Sequence, residues 1–178
     1  MRPGPGRPVH PRVPIDRDAL ATLTRTLPTA ADTQALGAAL GAVLRHGDLV
    51  VLTGPLGAGK TAFTQGIGAG MGVQGSVVSP TFVIARVHPA TDPGGPALVH
   101  VDAYRLGSLD EVDDLDLDVD LASSVTVVEW GAGLVERLAP AWLSVVLSRA
   151  ADSETRTAVL EPHGGDWAER LGRLGAQA

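Results

Sequence analysis

Hydrophobic and polar positions along the chain predict strands interleaved with helices. Apolar and polar residues alternate over residues 19–27, which is typical of a strand. Residues 30–45 place leucine, alanine and valine on one helical stripe, with Thr29 and Asp32 in the positions of a capping box and Gly47 as a C-terminal stop. Short apolar runs, each with the composition of a buried strand, follow at 48–53, 97–101 and 125–128.

The remaining pattern completes an α/β layered fold with no internal repeat and no second domain. A helix is predicted over 60–70, with Phe63 and Ile67 facing inward, and an amphipathic helix over 166–174. A short helix is expected at 134–138 and a surface loop at 89–96. The other predicted strands are 81–88, 142–147 and 157–160, the last two paired around a turn at 151–153.

Composition narrows the class of protein. A chain of 178 residues with 44% hydrophobic residues can bury a core without disulfides or structural metals. The absence of cysteine excludes disulfides, thiol nucleophiles and metals bound by cysteine. Residues 1–14, rich in proline, glycine and arginine, are predicted to form a disordered tail before a domain at 15–178. No apolar stretch could span a membrane and no signal peptide is recognisable, so we expect a cytoplasmic protein.

Charge argues against direct binding of nucleic acid. The formal net charge is −6, and no dense basic run exists outside the N-terminal tail. Because non-specific binding depends on Lys and Arg neutralising phosphates, we expect no DNA binding, and any action on RNA to proceed through a protein partner.

Gly-Pro-Leu-Gly-Ala-Gly-Lys-Thr at 54–61 has the form of a phosphate-binding loop between a strand and a helix. Glycines let successive N–H groups face one concavity, Lys60 would reach the β- and γ-phosphates, and the Thr61 hydroxyl would bind magnesium. Lys60 is also the only lysine of the chain. A simple glycine-rich turn is the alternative, and the strand–loop–helix order argues against it. The nucleotide-binding residues predicted here are Gly54, Leu56, Gly57, Ala58, Gly59, Lys60, Thr61 and Ala62.

Two acids end predicted buried strands, at Asp102 and Glu129. Ligands of open α/β sheets lie beyond the carboxyl ends of strands, so both acids are candidates for the magnesium side of the site. Our hypothesis is that Asp102 holds magnesium through water, and that Glu129 completes the metal shell or orients the attacking water. The alternative for each is an acid that caps a turn. The predicted catalytic residues are therefore Lys60, Asp102 and Glu129, and the predicted metal ligands Thr61, Asp102 and Glu129.

Thr81 and the acidic stretch at 110–120 have two interpretations each. Thr81 follows Ser-Pro in the interval where P-loop switches carry a threonine that senses the γ-phosphate, but a turn before a strand explains the spacing nearly as well. The acidic stretch does not match a calcium loop, which needs glycine at position six and glutamate at position twelve. It is either a solvated face or a surface for a basic protein partner.

Two histidines and two tryptophans are interpreted as structural. His88 and His100 fall within predicted strands, and Trp130 and Trp142 are expected to pack in the core. Spacing alone therefore assigns none of the four to catalysis.

In these motifs the chain resembles the TsaE family, formerly YjeE, a family of small ATPases of bacterial tRNA threonylcarbamoyladenosine synthesis. The resemblance covers residues 27–162. It rests on Leu-Pro-Thr at 27–29, the loop at 54–61, Val-Ser-Pro-Thr-Phe at 78–82, His-Val-Asp-Ala-Tyr-Arg-Leu at 100–106 and Val-Glu-Trp at 128–130.

The resemblance implies a three-layer P-loop NTPase domain with a mixed central sheet that binds ATP and Mg²⁺. It implies partnership with TsaD and TsaB, whose complex transfers a threonylcarbamoyl group to adenosine 37 of tRNAs reading codons that begin with A. By the same likeness, Thr61 and Glu129 would contact magnesium with Asp102 nearby. Residues 29–34 and Arg156 would lie near the base of the nucleotide.

The sequence leaves three other functions to consider, of which two conflict with its composition. A small-molecule kinase shares the loop, but the place for its arginine-bearing lid, residues 107–124, is acidic and contains no arginine. A GTPase would need the Asn-Lys-x-Asp signature, which a chain without asparagine cannot form. A binding module that is gated by nucleotide and hydrolyses it slowly is compatible with the resemblance to the TsaE family.

Overall fold

The computed structural model describes residues 22–80, 85–105 (the side chain of Arg105 excepted) and 121–176. The predicted 1–14 tail, Thr81 and the acidic stretch at 110–120 lie outside these described residues, so the domain boundaries stay a prediction. Within the described ranges, no helix is long and apolar enough to cross a membrane.

The described residues form one mixed sheet with three helices, which confirms the predicted α/β class. Its strands are β1 Leu23–Leu27, β2 Leu49–Thr53, β3 Ala85–His88, β4 Ala97–Asp102, β5 Ser124–Glu129, β6 Trp142–Arg149 and β7 Arg156–His163. The helices are α1 Ala30–Gly41, α2 Lys60–Met71 and α3 Trp167–Ala176. The strand order is β1-β7-β6-β2-β5-β4-β3. β6, β2, β5 and β4 run parallel, whereas β1, β7 and β3 each pair antiparallel with their neighbours.

The two faces of the sheet bury separate cores. Phe63 and Ile67 of α2 are fully buried on one face, together with side chains of α1, α3 and alternate strand positions, as their predicted inward orientation requires. On the other face, Val135 and the short 3-10 helix Glu136–Leu138 cover the remaining strand residues. Helices therefore cover one face of the sheet, and the 3-10 turn with its neighbouring residues covers the other, which gives three layers.

α1 begins as predicted and ends earlier. The Asp32 N–H donates to Thr29 Oγ1 at 3.2 Å and the Thr29 N–H donates to Asp32 Oδ2 at 2.9 Å, so the capping box is present. The Thr29 hydroxyl also donates to Asp32 Oδ2 at 2.6 Å, and this bond, followed by the one from the Thr29 N–H, holds the pKa of Asp32 below its ordinary value. The predicted end at residue 45 was wrong. The helix stops at Gly41 because Asp48 accepts the Arg45 N–H at 2.8 Å and turns the chain into β2.

Several other element ends differ from the predictions by a few residues. β6 and β7 are longer than predicted, because their antiparallel ladder runs without a break from Trp142↔His163 to Arg149↔Arg156 whatever the side-chain pattern. β3 begins at Ala85 within the described residues, and the predicted helix at 134–138 is a single 3-10 turn. α2 ends at Met71, one residue after the predicted end, because Gly72 follows with a φ of 68° and stops the helix.

α1 and α2 pack backbone to backbone through glycines. A Cβ atom at Gly66 would lie 2.1 Å from Gln34 O, and one at Gly70 would lie 2.1 Å from Ala38 O. Both distances are shorter than any real carbon contact, so only glycine permits this approach. Because α2 starts at Lys60, the packing also sets the position of the phosphate-binding loop.

Gly66→Ala is therefore expected to destabilise the protein by about 1–3 kcal/mol, as overpacking does. Gly172→Ala is the matched control, because Gly172 lies in α3 with no atom within 4 Å of its added Cβ. The control should gain up to about 1 kcal/mol from helix propensity. Urea unfolding of both variants measures the difference, and equal changes in the free energy of unfolding would contradict the packing argument.

A buried ion pair joins α3 to the start of β2. Arg170 places Nη1 at 2.6 Å and Nη2 at 2.8 Å from the two carboxylate oxygens of Asp48, and its Nε lies 3.0 Å from Asp166 Oδ1. The guanidinium also stacks over Trp167 at 3.7 Å. Burial alone would lower the pKa of Arg170, but the bond to Asp48 and the two carboxylate charges outweigh it and the pKa is raised.

Candidate nucleotide-binding site

The loop between β2 and α2 owes its shape to three glycines. Gly54, Gly57 and Gly59 have φ values of 145°, 80° and 103°, a region that other residues rarely adopt. At Gly54 an added Cβ would also lie 2.3 Å from Leu147 O of β6. The sequence pattern therefore corresponds to a backbone that only glycine can form. The N-terminus of α2 follows directly, which is the arrangement that suits anions.

A cavity of about 550 Å³ lies over this loop and the ends of β4 and β5. It brings together the predicted catalytic and metal-binding side chains. Its lining is Leu56, Gly57, Gly59, Lys60, Thr61, Ala62, Ser79, Asp102, Tyr104, Glu129 and Trp130. Gly54 and the buried Ala58 shape the loop without lining the cavity.

Lys60 lies within the loop beside both acids. Its Nζ donates to Gly54 O at 2.8 Å and to Pro55 O at 3.1 Å, and the ammonium is 4.1 Å from the centre of the Trp130 ring. Burial lowers the pKa of Lys60 from its ordinary value, while the charges of Glu129 and Asp102 act in the opposite direction. The carbonyls, the aromatic face and the two nearby carboxylates therefore offset only part of the cost of burying the ammonium.

Glu129→Gln is expected to lower the pKa of Lys60 further. A neighbouring negative charge favours the protonated amine, so its removal makes the proton leave at lower pH. Because Lys60 is the only lysine, protein grown with ¹³C-lysine carries one labelled residue whose side-chain NMR signal can be titrated. Glu169→Gln, an exposed acid of α3, is the control. A midpoint that rises in Glu129→Gln, or moves equally in both variants, would contradict the electrostatic coupling.

Asp102 and Glu129 end neighbouring parallel strands directly opposite one another. Asp102 is half-buried and its carboxylate accepts the Tyr104 N–H at 3.0 Å, so it also caps the turn after β4. Glu129 is 4% exposed and bonded to His100. The two interpretations of Asp102 are therefore compatible, since a turn-capping acid also lines the cavity.

The oxygen donors of this cavity suit Mg²⁺ in a particular way. Thr61, Asp102 and Glu129 supply a hydroxyl and two carboxylates, the hard ligands that Mg²⁺ prefers. Across the described residues, no group of three His, Cys, Asp or Glu side chains could hold a metal by itself. Mg²⁺ commonly binds through one or two carboxylates together with substrate phosphates, so the donor set fits a metal that arrives with a nucleotide.

Arg156 lies at the loop but does not line the cavity. A Cβ atom at Gly59 would lie 3.1 Å from Arg156 Nε and 3.5 Å from Thr33 Cγ2, which puts both side chains beside the start of α2. Arg156 is 8% exposed, and its Nη1 donates to Glu154 O at 2.7 Å. Arg156 and Thr33 of the 29–34 segment thus lie beside the phosphate-binding loop, and the position of this region near the base of a nucleotide stays a prediction.

Trp130 and Tyr104 are cavity residues that the sequence did not identify. Trp130, predicted to pack in the core, lines the cavity with a φ of 63°. The centres of the Trp130 and Tyr104 rings are 5.3 Å apart, in an edge-to-face arrangement. The position of Trp130 directly after Glu129 was the available signal, because the residue that follows a strand-ending acid shares its edge of the sheet. Tyr104 lies two residues after Asp102, at the same edge of the sheet.

β2 lies between parallel strands and is followed by the glycine-rich loop and α2. This unit and the cavity above it define an α/β protein of the P-loop NTPase class. The family model of the threonylcarbamoyl adenosine biosynthesis protein TsaE matches residues 27–158. The chain belongs to the TsaE family.

Similar proteins agree with this assignment. TsaE of Mycobacterium tuberculosis is 54% identical over 141 residues, which cover 76% of this chain and 84% of the relative. TsaE of Streptomyces coelicolor is 56% identical over 137 residues, covering 75% and 92%. The crystal structure of YdiB from Bacillus subtilis superposes with a TM-score of 0.69 at 29% identity, covering 88% of this chain and 95% of the other.

Proposed function

We propose that this protein is the ATP-binding and ATP-hydrolysing component of the machinery that makes N6-threonylcarbamoyladenosine at position 37 of tRNAs reading codons that begin with A. It would act on a complex of TsaD and TsaB. One observation carries the proposal: in a chain of the TsaE family, Lys60, Asp102 and Glu129 converge on one cavity at the phosphate-binding loop.

The loop residues would bind and orient the triphosphate. The N–H groups of the glycine-rich turn and the start of α2 offer donors to phosphate oxygens. Lys60 would exchange its bonds to Gly54 O and Pro55 O for bonds to phosphate, a move of one flexible side chain within the cavity. This exchange keeps the ammonium paired in both states.

Thr61, Asp102 and Glu129 would hold the magnesium ion on the other side of the cavity. The ion, when bound, neutralises negative charge on the phosphates. Glu129, with one carboxylate oxygen bonded to His100, can offer its other oxygen to the metal or to the attacking water. Trp130 and Tyr104 would shield this end of the cavity from bulk water.

The protein's own charge favours an indirect role towards tRNA. A net charge of −6 opposes binding to a polyanion, so TsaD and TsaB would supply the contacts to RNA. ATP hydrolysis would then reset the partner complex.

Reconstitution tests the proposal. ATP hydrolysis is measured for the protein alone, with TsaB and TsaD, and with tRNA, and the modified nucleoside is quantified by mass spectrometry. Slow hydrolysis that rises with the partners, together with modification that requires this protein, supports the proposed function. A rate that does not change when TsaB and TsaD are added, together with release of ADP only when a small hydroxylated acceptor is present, would indicate a kinase instead.

A further inference from the structure

His100 occupies a buried position beside the candidate metal site. It lies in β4 two residues before Asp102, and its side chain is fully buried. Its Nε2 lies 2.8 Å from Glu129 Oε1 on the adjacent parallel strand. Because an ionised carboxylate can only accept, the imidazole N–H donates this bond.

The bond restrains the glutamate that lines the cavity. Glu129 is 4% exposed, and among the described residues its hydrogen-bond partner is His100, on Oε1. Oε2 has no hydrogen-bond partner in the same described part of the chain, and Glu129 contributes to the cavity wall. One oxygen is therefore anchored in the core, and the other remains available to a ligand.

We propose that His100 is a positioning residue that orients the Glu129 carboxylate towards a metal–nucleotide complex in the cavity. This inference rests on the proposed function. A carboxylate side chain has several rotamers, and the hydrogen bond from the buried His100 ring selects one before the ligand arrives. Loss of such an outer partner typically reduces metal affinity or activity by about 10- to 100-fold.

His88 is a control that distinguishes a positioning role of His100 from that of a histidine that only fills space in the core. It is also buried and lies on the neighbouring strand β3, opposite Leu98 of β4. Its Nε2 has no hydrogen-bond partner in the described part of the chain, and it makes no bond to Glu129. If histidines mattered here only by filling space, His88→Phe and His100→Phe would have similar effects.

The test measures metal binding rather than turnover. Mn²⁺ is titrated by EPR against the protein with a non-hydrolysable ATP analogue, for wild type, His100→Phe, His100→Gln and His88→Phe. We expect His100→Phe to bind Mn²⁺ about 10- to 100-fold more weakly, while the analogue binds with unchanged affinity in the absence of metal. His100→Gln should recover part of the loss because its amide nitrogen lies near the place of the imidazole Nε2. His88→Phe should match wild type.

The outcomes distinguish this inference from the function on which it rests. If the wild type binds Mn²⁺ with the analogue and His100→Phe binds it equally well, the positioning role is overturned and the proposed function is not. The same holds if His88→Phe weakens Mn²⁺ binding as much as His100→Phe does. No metal-dependent binding by wild type overturns both. If His100→Phe does not fold, the ¹⁵N NMR signals of the imidazole rings in the wild-type protein test the positioning role instead. The Nε2 signal of His100 should shift when Mg²⁺ and analogue bind, and an equal shift at His88 would overturn the inference.

Discussion

Lys60→Ala is expected to lower partner-stimulated ATP hydrolysis by on the order of 10²- to 10³-fold, the usual effect of removing one preorganised donor from a developing negative charge. The ammonium is held between Gly54 O, Pro55 O and the Trp130 ring, within reach of the phosphate-binding loop. Alanine removes the only lysine side chain of the protein from this place. The rate is measured with TsaB and TsaD at saturating ATP and Mg²⁺.

Lys60→Arg and Arg45→Ala are the controls for this loss. Arginine keeps the charge, but its planar fork replaces three rotatable donors on a flexible stem, so we expect it to restore little of the rate. Arg45 is an exposed cation paired with Asp166, and its removal should leave hydrolysis within about twofold of wild type, as surface pairs contribute little. A Lys60→Ala variant that folds and hydrolyses ATP normally would contradict the role given to the loop.

Arg170→Ala is expected to destabilise the fold by about 3–5 kcal/mol, the usual cost of breaking a buried ion pair from one side. The variant leaves Asp48 with one remaining hydrogen bond from the described residues, that of the Arg45 N–H, in a site where it is 8% exposed. It also removes the stacking on Trp167 and the bond to Val43 O. Chemical denaturation with a fluorescence readout measures the change in free energy of unfolding.

Arg173→Ala is the matched control on the same helix. Arg173 pairs with Glu169 one turn away with both side chains about two-thirds exposed, so its removal should cost no more than about 0.5 kcal/mol. A double variant, Asp48→Leu with Arg170→Met, should recover much of the stability lost in Arg170→Ala, because it leaves no buried charge unpaired. Equal effects of Arg170→Ala and Arg173→Ala would show that the buried pair does not stabilise the fold.

Local sequence was sufficient for features that depend on neighbours along the chain. The capping box at Thr29 and Asp32, the glycine-rich loop and the buried strands before Asp102 and Glu129 all occur where the pattern predicted them. Each is decided by residues within one turn or one strand. The end of α1 was not predictable in this way, because Asp48, which turns the chain after the helix, is itself held by Arg170 far along the sequence.

In the candidate site, too, local features could be predicted from sequence and contacts between distant residues could not. The phosphate-binding loop, its single lysine and the two strand-ending acids could be identified from the amino-acid sequence, since backbone geometry and residue chemistry there are local. The fold was needed to show that β4 lies next to β5, in the register that brings His100 to Glu129, and that Trp130 lies against Lys60. Such contacts depend on strand order and on helix packing through Gly66 and Gly70, and a hydrophobic pattern specifies which face is buried without specifying the neighbour.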